Sequence, residues 1–171
     1  MKSKACSALF IVLSLFIAGC ASFDGRGLVP GQSTEADVIA TMGQPAQVLQ
    51  RPGGGKLLYF SRQPFGRQIY KAAIGPDGVL RSLEQTLTPD NIRRIQADKT
   101  TKDEARELLG PPYRVTRAPF KPYDVWEYWW RNVEDRRILW ISFSDDGVAR
   151  EVIEMHDFQA DPPSGSGRKG R

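Results

Sequence analysis

Few side chains in this sequence are equipped for acid–base or nucleophilic chemistry. His156 is the only histidine, so a serine nucleophile would have to be Ser61, Ser82, Ser142 or Ser144, and none of these sits in a nucleophile-elbow motif. A transition-metal site draws on several nitrogen and sulfur ligands, which one histidine and one cysteine beyond the N-terminal apolar segment do not supply. Asp145-Asp146 lacks the spaced oxygen ligands of a calcium loop and reads as a turn. "PGGGK", residues 52–56, has the glycines and lysine of a phosphate loop, but Gln50 stands where that motif needs its first glycine. Glu134 and Asp135 are neighbouring carboxylates in the turn "NVEDRR", better placed to solvate it than to share a proton. No catalytic residue, metal or cofactor is assigned.

The chemistry that remains is aromatic. In "VWEYWW", residues 125–130, strand periodicity puts Trp126, Tyr128 and Trp130 on one face and Val125, Glu127 and Trp129 on the other. In "ILWISF", Leu139, Ile141 and Phe143 share a face and Trp140 points the opposite way. A small sheet covered by helices on one side cannot hide large rings on both. Some rings therefore belong to an open face, where Tyr and Trp give a partner large contact area with few rotors to freeze. The candidate partner-binding residues are Trp126, Tyr128, Trp130 and Trp140, flanked by Arg131, Arg136 and Arg137. Core packing is the stronger reading of Trp126 and Tyr128, and both uses stay open for Trp140.

The N-terminus carries a different chemistry. Lys2 and Lys4 precede an apolar run from Ala8 to Ala18, which is shorter than the roughly 20 residues of a membrane span. A positive head, a short apolar body and small residues before a cut read as a secretory signal over residues 1–19. "IAGC" resembles the bacterial lipobox, in which the cysteine becomes the lipidated first residue of the exported chain. Cys6 falls inside the signal, so Cys20 would be the one remaining cysteine and no internal disulfide could form. By the sorting rule of such lipoproteins, Ala21 in place of an aspartate implies the outer membrane. Residues 20–171 carry 22 basic and 20 acidic side chains, too even a balance to argue for nucleic-acid binding. The last residues, "SGSGRKGR", read as a disordered, solubilising tail that could also touch anionic headgroups.

The elements that must position these residues are written twice. Laying "STEADVIATMGQPAQV" over "TTKDEARELLGPPYRV" matches Thr34 with Thr101, Gly43 with Gly110, Pro45 with Pro112 and Val48 with Val115. Further on, Tyr59 falls on Tyr128, Ile74 on Phe143, and Asp77-Gly78-Val79 on Asp146-Gly147-Val148, with two extra residues assigned to the loop between Val115 and Tyr128. This order of matches indicates an internal duplication. Thr34 and Thr101 cap helices with Asp37 and Glu104 at the third position. Val38, Ile39 and Met42 form the apolar face of the first helix, and Ala105, Leu108 and Leu109 that of the second. Glycine and proline then end each helix.

One weak and three strong extended stretches follow in each copy: 47–51, 56–63, 67–74 and 79–85, then 114–117, 124–131, 136–143 and 148–155. The Asp-Gly pairs mark hairpin turns. Between the copies, Thr88 and Pro89 open a short helix that turns Ile92 and Ile95 to the core. The expected fold is α+β: two tandem units, at 31–87 and 88–157, each of short helices on one face of a small antiparallel sheet. Each unit is small enough to be marginal alone, so the two should share an interface. Residues 20–30 would be a lipidated tether and 158–171 the tail.

"LVPGQSTEADVIATMGQP" and, more loosely, "ADKTTKDEARELLGPP", each followed by strands and a D-G-V hairpin, resemble the SmpA/OmlA family of outer-membrane lipoproteins. The resemblance covers about residues 28–157 plus the lipobox. That family includes the E component of the outer-membrane-protein assembly machine, which has one unit where this chain has two. The same unit in tandem occurs in the β-lactamase inhibitory protein. In the first copy, Gly25, Gly27, Pro30 and Gly31 crowd the place of the family's first helix. The resemblance implies a non-enzymatic binding or scaffold protein, lipid-anchored through Cys20 on the periplasmic face of the outer membrane. Its partner would be an envelope protein, such as the outer-membrane-protein assembly machinery. The alternative is an inhibitor of an envelope or secreted hydrolase.

Overall fold

The computed structural model describes residues 23–132 and 135–157; the signal, Cys20, Glu134 and the tail lie outside the described residues. The order of elements is α1 (Glu35–Met42), β1 (Gln47–Gln50), β2 (Lys56–Ser61), β3 (Ile69–Ile74), β4 (Leu80–Gln85), α2 (Pro89–Arg93), α3 (Lys102–Leu109), β5 (Arg114–Arg117), β6 (Asp124–Arg131), β7 (Arg136–Phe143) and β8 (Ala149–His156). The strands form two antiparallel sheets, β1-β2-β3-β4 and β5-β6-β7-β8. The fold is α+β, built as two tandem units.

The two units agree down to their joints. Thr34 and Thr101 each accept a hydrogen bond from the backbone of the third helical residue, and Asp37 and Glu104 reach back to the cap, so both helices begin in a full capping box. The cap residues then bridge to Val79 and Val148, each at the start of its unit's last hairpin strand. Gly43 and Gly110 end α1 and α3 with φ of 86° and ψ near −167°, a combination essentially confined to glycine. A bulge recurs at Ala73/Ile74 and at Ser142/Phe143.

The register corrects one equivalence. Val48 pairs with Leu58, and Val115 with Trp126, so Leu58 matches Trp126 and Phe60 matches Tyr128. Tyr59 therefore matches Glu127, not Tyr128. The two extra residues of the second copy are split, one before β6 and one after it, rather than lying together before Tyr128. Because successive strand residues face opposite ways, this one-residue difference reverses the face.

The layers stack as α1, first sheet, α2 with α3, second sheet. On one side of the first sheet Leu58, Phe60, Ala72, Ile74 and Leu80 close over Val38 and Met42 of α1. From its other side Leu57, Tyr59 and Ile69 enter a larger core with Ile92, Ile95, Ala105 and Leu109, which is shared with the second sheet. The first sheet is thus covered on both faces, beyond the one-sided cover foreseen. The expected tether is also partly folded: Phe23 and Leu28 pack against the α1 core, and the Gly31 N–H donates to the Leu80 carbonyl at 2.8 Å. No helix forms over residues 23–33. At the position matching Ile92 stands Gly25, whose missing Cβ would lie 2.1 Å from Leu83 Cδ2, so Leu83 fills the space a helix side chain would take.

The C-terminal end of α3 is the point where both sheets meet. The Glu107 carbonyl accepts from the Tyr59 hydroxyl of the first sheet at 2.6 Å. The Leu109 carbonyl lies 2.8 Å from the Thr86 hydroxyl, and the Gly110 carbonyl accepts from the Tyr128 hydroxyl of the second sheet at 3.0 Å. The carbonyls a helix leaves unpaired at its end are satisfied from opposite sides. Burial pushes both phenols well above the ordinary tyrosine range.

Candidate functional site on the uncovered face of the second sheet

Trp126, Tyr128 and Trp130 are 3%, 0% and 2% exposed. They point at α2 and α3 with Leu139, Ile141 and Phe143, and no partner can reach them. Trp126 lies against Phe143, ring centroids 4.7 Å apart, with the Arg106 guanidinium 4.6 Å above it. None of the three is a partner-binding residue: Trp126 and Tyr128 take the core packing that was their stronger reading, and Trp130 is corrected from candidate surface to core. The physical reason is that the apolar strip of α3 needs a ring-bearing face, and the alternation of β6 delivers only one.

The opposite face of the second sheet, which no helix among the described residues covers, carries Val125, Glu127 and Trp129 from β6. Ile138 and Trp140 join them from β7, and Ile153 from β8. At its centre is a buried acid. Glu127 stands between two half-buried tryptophans, and its side chain is 7% exposed. Trp129 Nε1 donates to Glu127 Oε1 at 2.6 Å, and Trp140 Nε1 and Arg114 Nη2 donate to Oε2 at 3.0 and 2.8 Å. Burial pushes this carboxyl up, but the hydrogen bonds from Arg114, Trp129 and Trp140 and the charge of Arg114 outweigh it and hold the group below the usual range. A single carboxylate thus fixes the in-plane direction of both indoles.

The first unit contributes to this face. Its β2–β3 loop, residues 62–68, passes the edge of β6 that β5 is too short to pair. There Gln63 Oε1 accepts from the Trp129 N–H at 3.3 Å. Arg67 places its guanidinium 5.1 Å from the Trp129 ring, pairs with buried Asp157 and reaches the Arg137 carbonyl at 3.5 Å. Tyr113, 5.4 Å away on another side, completes the surround of Trp129.

Of the residues foreseen, Trp140 lies on the uncovered face, while Arg131 and Arg136 line a pocket with Phe65 and Arg67 at the end of the sheet. Arg137 bonds Asp135 at 2.9 Å. Glu127, Trp129 and Arg114 were missed as site residues. The available signal was a lone acid inside a run of rings, which a strand buries only when donors surround it. His156 sits 3.3 Å from Asp135, and Ser142 and Ser144 engage Glu151 and Asp146. Among the described residues no group of three or more His, Cys, Asp or Glu side chains is placed to hold a metal. No helix among them is long and apolar enough to cross a membrane.

No family model matches the chain, and no curated protein matches it. Among solved structures, a DUF4309 family protein (YjgB) from Bacillus subtilis subsp. subtilis str. 168 is similar at 21% identity. The match covers 77% of this chain and 84% of that one, with a TM-score of 0.31.

Proposed function

We propose that this protein is a non-enzymatic binding or scaffold protein of the bacterial outer membrane. It is held at the periplasmic face by lipidated Cys20 and serves envelope assembly or integrity. The observation that carries the binding role is the uncovered sheet face, where Glu127 holds half-buried Trp129 and Trp140 by their indole N–H groups. Aromatic side chains fixed in this way suit a recognition surface, because little rotamer freedom is lost on contact. The SmpA/OmlA resemblance and the lipobox support the location. An envelope protein, such as the outer-membrane-protein assembly machinery, is the proposed partner.

One experiment in intact cells tests both parts. A photo-crosslinking amino acid at position 140 is expected to capture an envelope protein, and Cys20→Ser to release the chain from membranes. Absence of any envelope adduct would remove the binding role, and full membrane retention of Cys20→Ser would remove the lipid anchor.

A further inference from the structure

Phe23 stands three residues after Cys20, and three residues span at most about 11 Å. The position of Phe23 therefore fixes which end of the molecule a lipid on Cys20 would hold at the bilayer. Phe23 packs on Tyr70, ring centroids 6.0 Å apart, with the Arg62 guanidinium 4.3 Å over its ring. Arg62 opens the β2–β3 loop, and the tip of that loop carries Phe65, 100% exposed. Behind Phe65 a cavity of about 320 Å³ is lined by Arg67, Arg131 and Arg136. The N-terminal attachment, a fully exposed ring and four arginines thus converge on one end. Of the acids there, Asp157 pairs with Arg67, Asp24 borders Arg62, and Asp135 pairs with Arg137 and His156. The chain leaves β8 through Asp157 at this same end.

We infer that this end is a membrane-docking surface, in which Phe65 enters the headgroup region of the bilayer and the exposed Arg62 and Arg131 beside it contact anionic lipid phosphates. It rests on the reading that Cys20 is acylated, and it adds the orientation of the protein on the membrane. Charge complementarity favours an anionic lipid surface over a neutral one. The three-residue separation of Cys20 and Phe23 keeps this end close to the bilayer once the anchor is inserted, so the local concentration of lipid there is high. The uncovered tryptophan face lies beside this end and stays available to a protein.

The test separates docking from acylation by removing the acyl chain. In residues 20–171 carrying Cys20→Ser, which leaves no other thiol, Phe65→Cys is labelled with an environment-sensitive fluorophore. In a second variant Phe120→Cys takes the label. Phe120 is 97% exposed and precedes the far end of β6, roughly 24 Å along that strand. Vesicles of phosphatidylethanolamine with phosphatidylglycerol should raise and blue-shift the emission at position 65 and leave position 120 unchanged. Vesicles without the anionic lipid, or high salt, should abolish the change, and Arg131→Gln should weaken it roughly fivefold. A silent label at 65, or equal responses at 65 and 120, would overturn the docking surface whatever the fate of Cys20 in cells. A response at 65 to envelope protein but not to vesicles would overturn it in favour of a protein contact.

Discussion

The two sheets share strand order, register and bulge, yet the first is buried on both faces and the second on one. The difference comes down to what stands at one matching position. Tyr59 in the first copy and Glu127 in the second both face away from their own unit's helix. Tyr59 continues into the next unit's core with Leu57 and Ile69 and ends on the Glu107 carbonyl. Glu127 meets no further layer among the described residues, and gathers Arg114, Trp129 and Trp140 instead. A duplicated unit thus acquires its distinct role from the layer stacked on its outer face: the first copy presents an apolar surface that binds the second, and the second presents an aromatic surface to the outside.

The glycine joints give the largest measurable contrast. Both hold the same left-handed conformation, so any side chain there is strained by about 1–3 kcal/mol. At Gly43 nothing lies within 4 Å of an added Cβ, whereas at Gly110 that atom would meet Tyr59 Cδ1 at 2.7 Å and Ile69 Cγ2 at 3.0 Å. Gly110→Ala should therefore cost more than Gly43→Ala, by roughly 2 kcal/mol or more, because it drives the two units apart as well as straining the backbone. Urea denaturation of the two variants measures the difference. Equal losses would mean that the first sheet does not clamp the end of α3.

The two tyrosines sharpen the same point at smaller scale. Tyr128→Phe leaves the carbonyl of buried Gly110 without its donor and should cost about 1–3 kcal/mol. Tyr59→Phe removes the bond to Glu107, an exposed residue whose carbonyl can turn to water, and should cost about 1 kcal/mol or less. Thermal unfolding would read both. The reverse ranking would place the stronger clamp between the units rather than within the second.

Much of this was legible from residue types. The capping boxes, the terminal glycines and the Asp-Gly hairpins are local signals, and three strands of the second unit begin and end where alternation put them. The register was not legible. Two tyrosines fell on each other when the repeats were aligned, but loop lengths decide pairing, and a single residue added on each side of β6 turns one tyrosine away from its own helix. The exposed face was left undecided for a related reason. Alternation sorts VWEYWW into two faces without saying which one the helices cover. The crossing of the 62–68 loop onto Trp129 depends on the stacking of the units, which no local pattern encodes. Phe23 and Leu28 were read as tether because glycines around them forbid a helix, although packing needs no helix.

The finest break in the comparison is electrostatic. Glu127→Gln keeps the shape of the side chain but removes the charge that the two indoles and Arg114 surround, a position where Tyr59 in the first copy carries none. In the folded protein this carboxyl titrates below its ordinary value. Its contribution is therefore complete above the unfolded value of about 4.3 and disappears as pH falls through the lower folded value. At pH 7 Glu127→Gln should cost about 1.5–3 kcal/mol, as for hydrogen bonds to a charged group. The gap between it and the parent should narrow below about pH 5 and close once the parent's carboxyl is protonated. Denaturation at pH 7, 5 and 3 follows this directly. A gap that held constant to pH 3 would mean that Glu127 supports the face through its shape alone, and that the orientation of Trp129 and Trp140 does not depend on its charge.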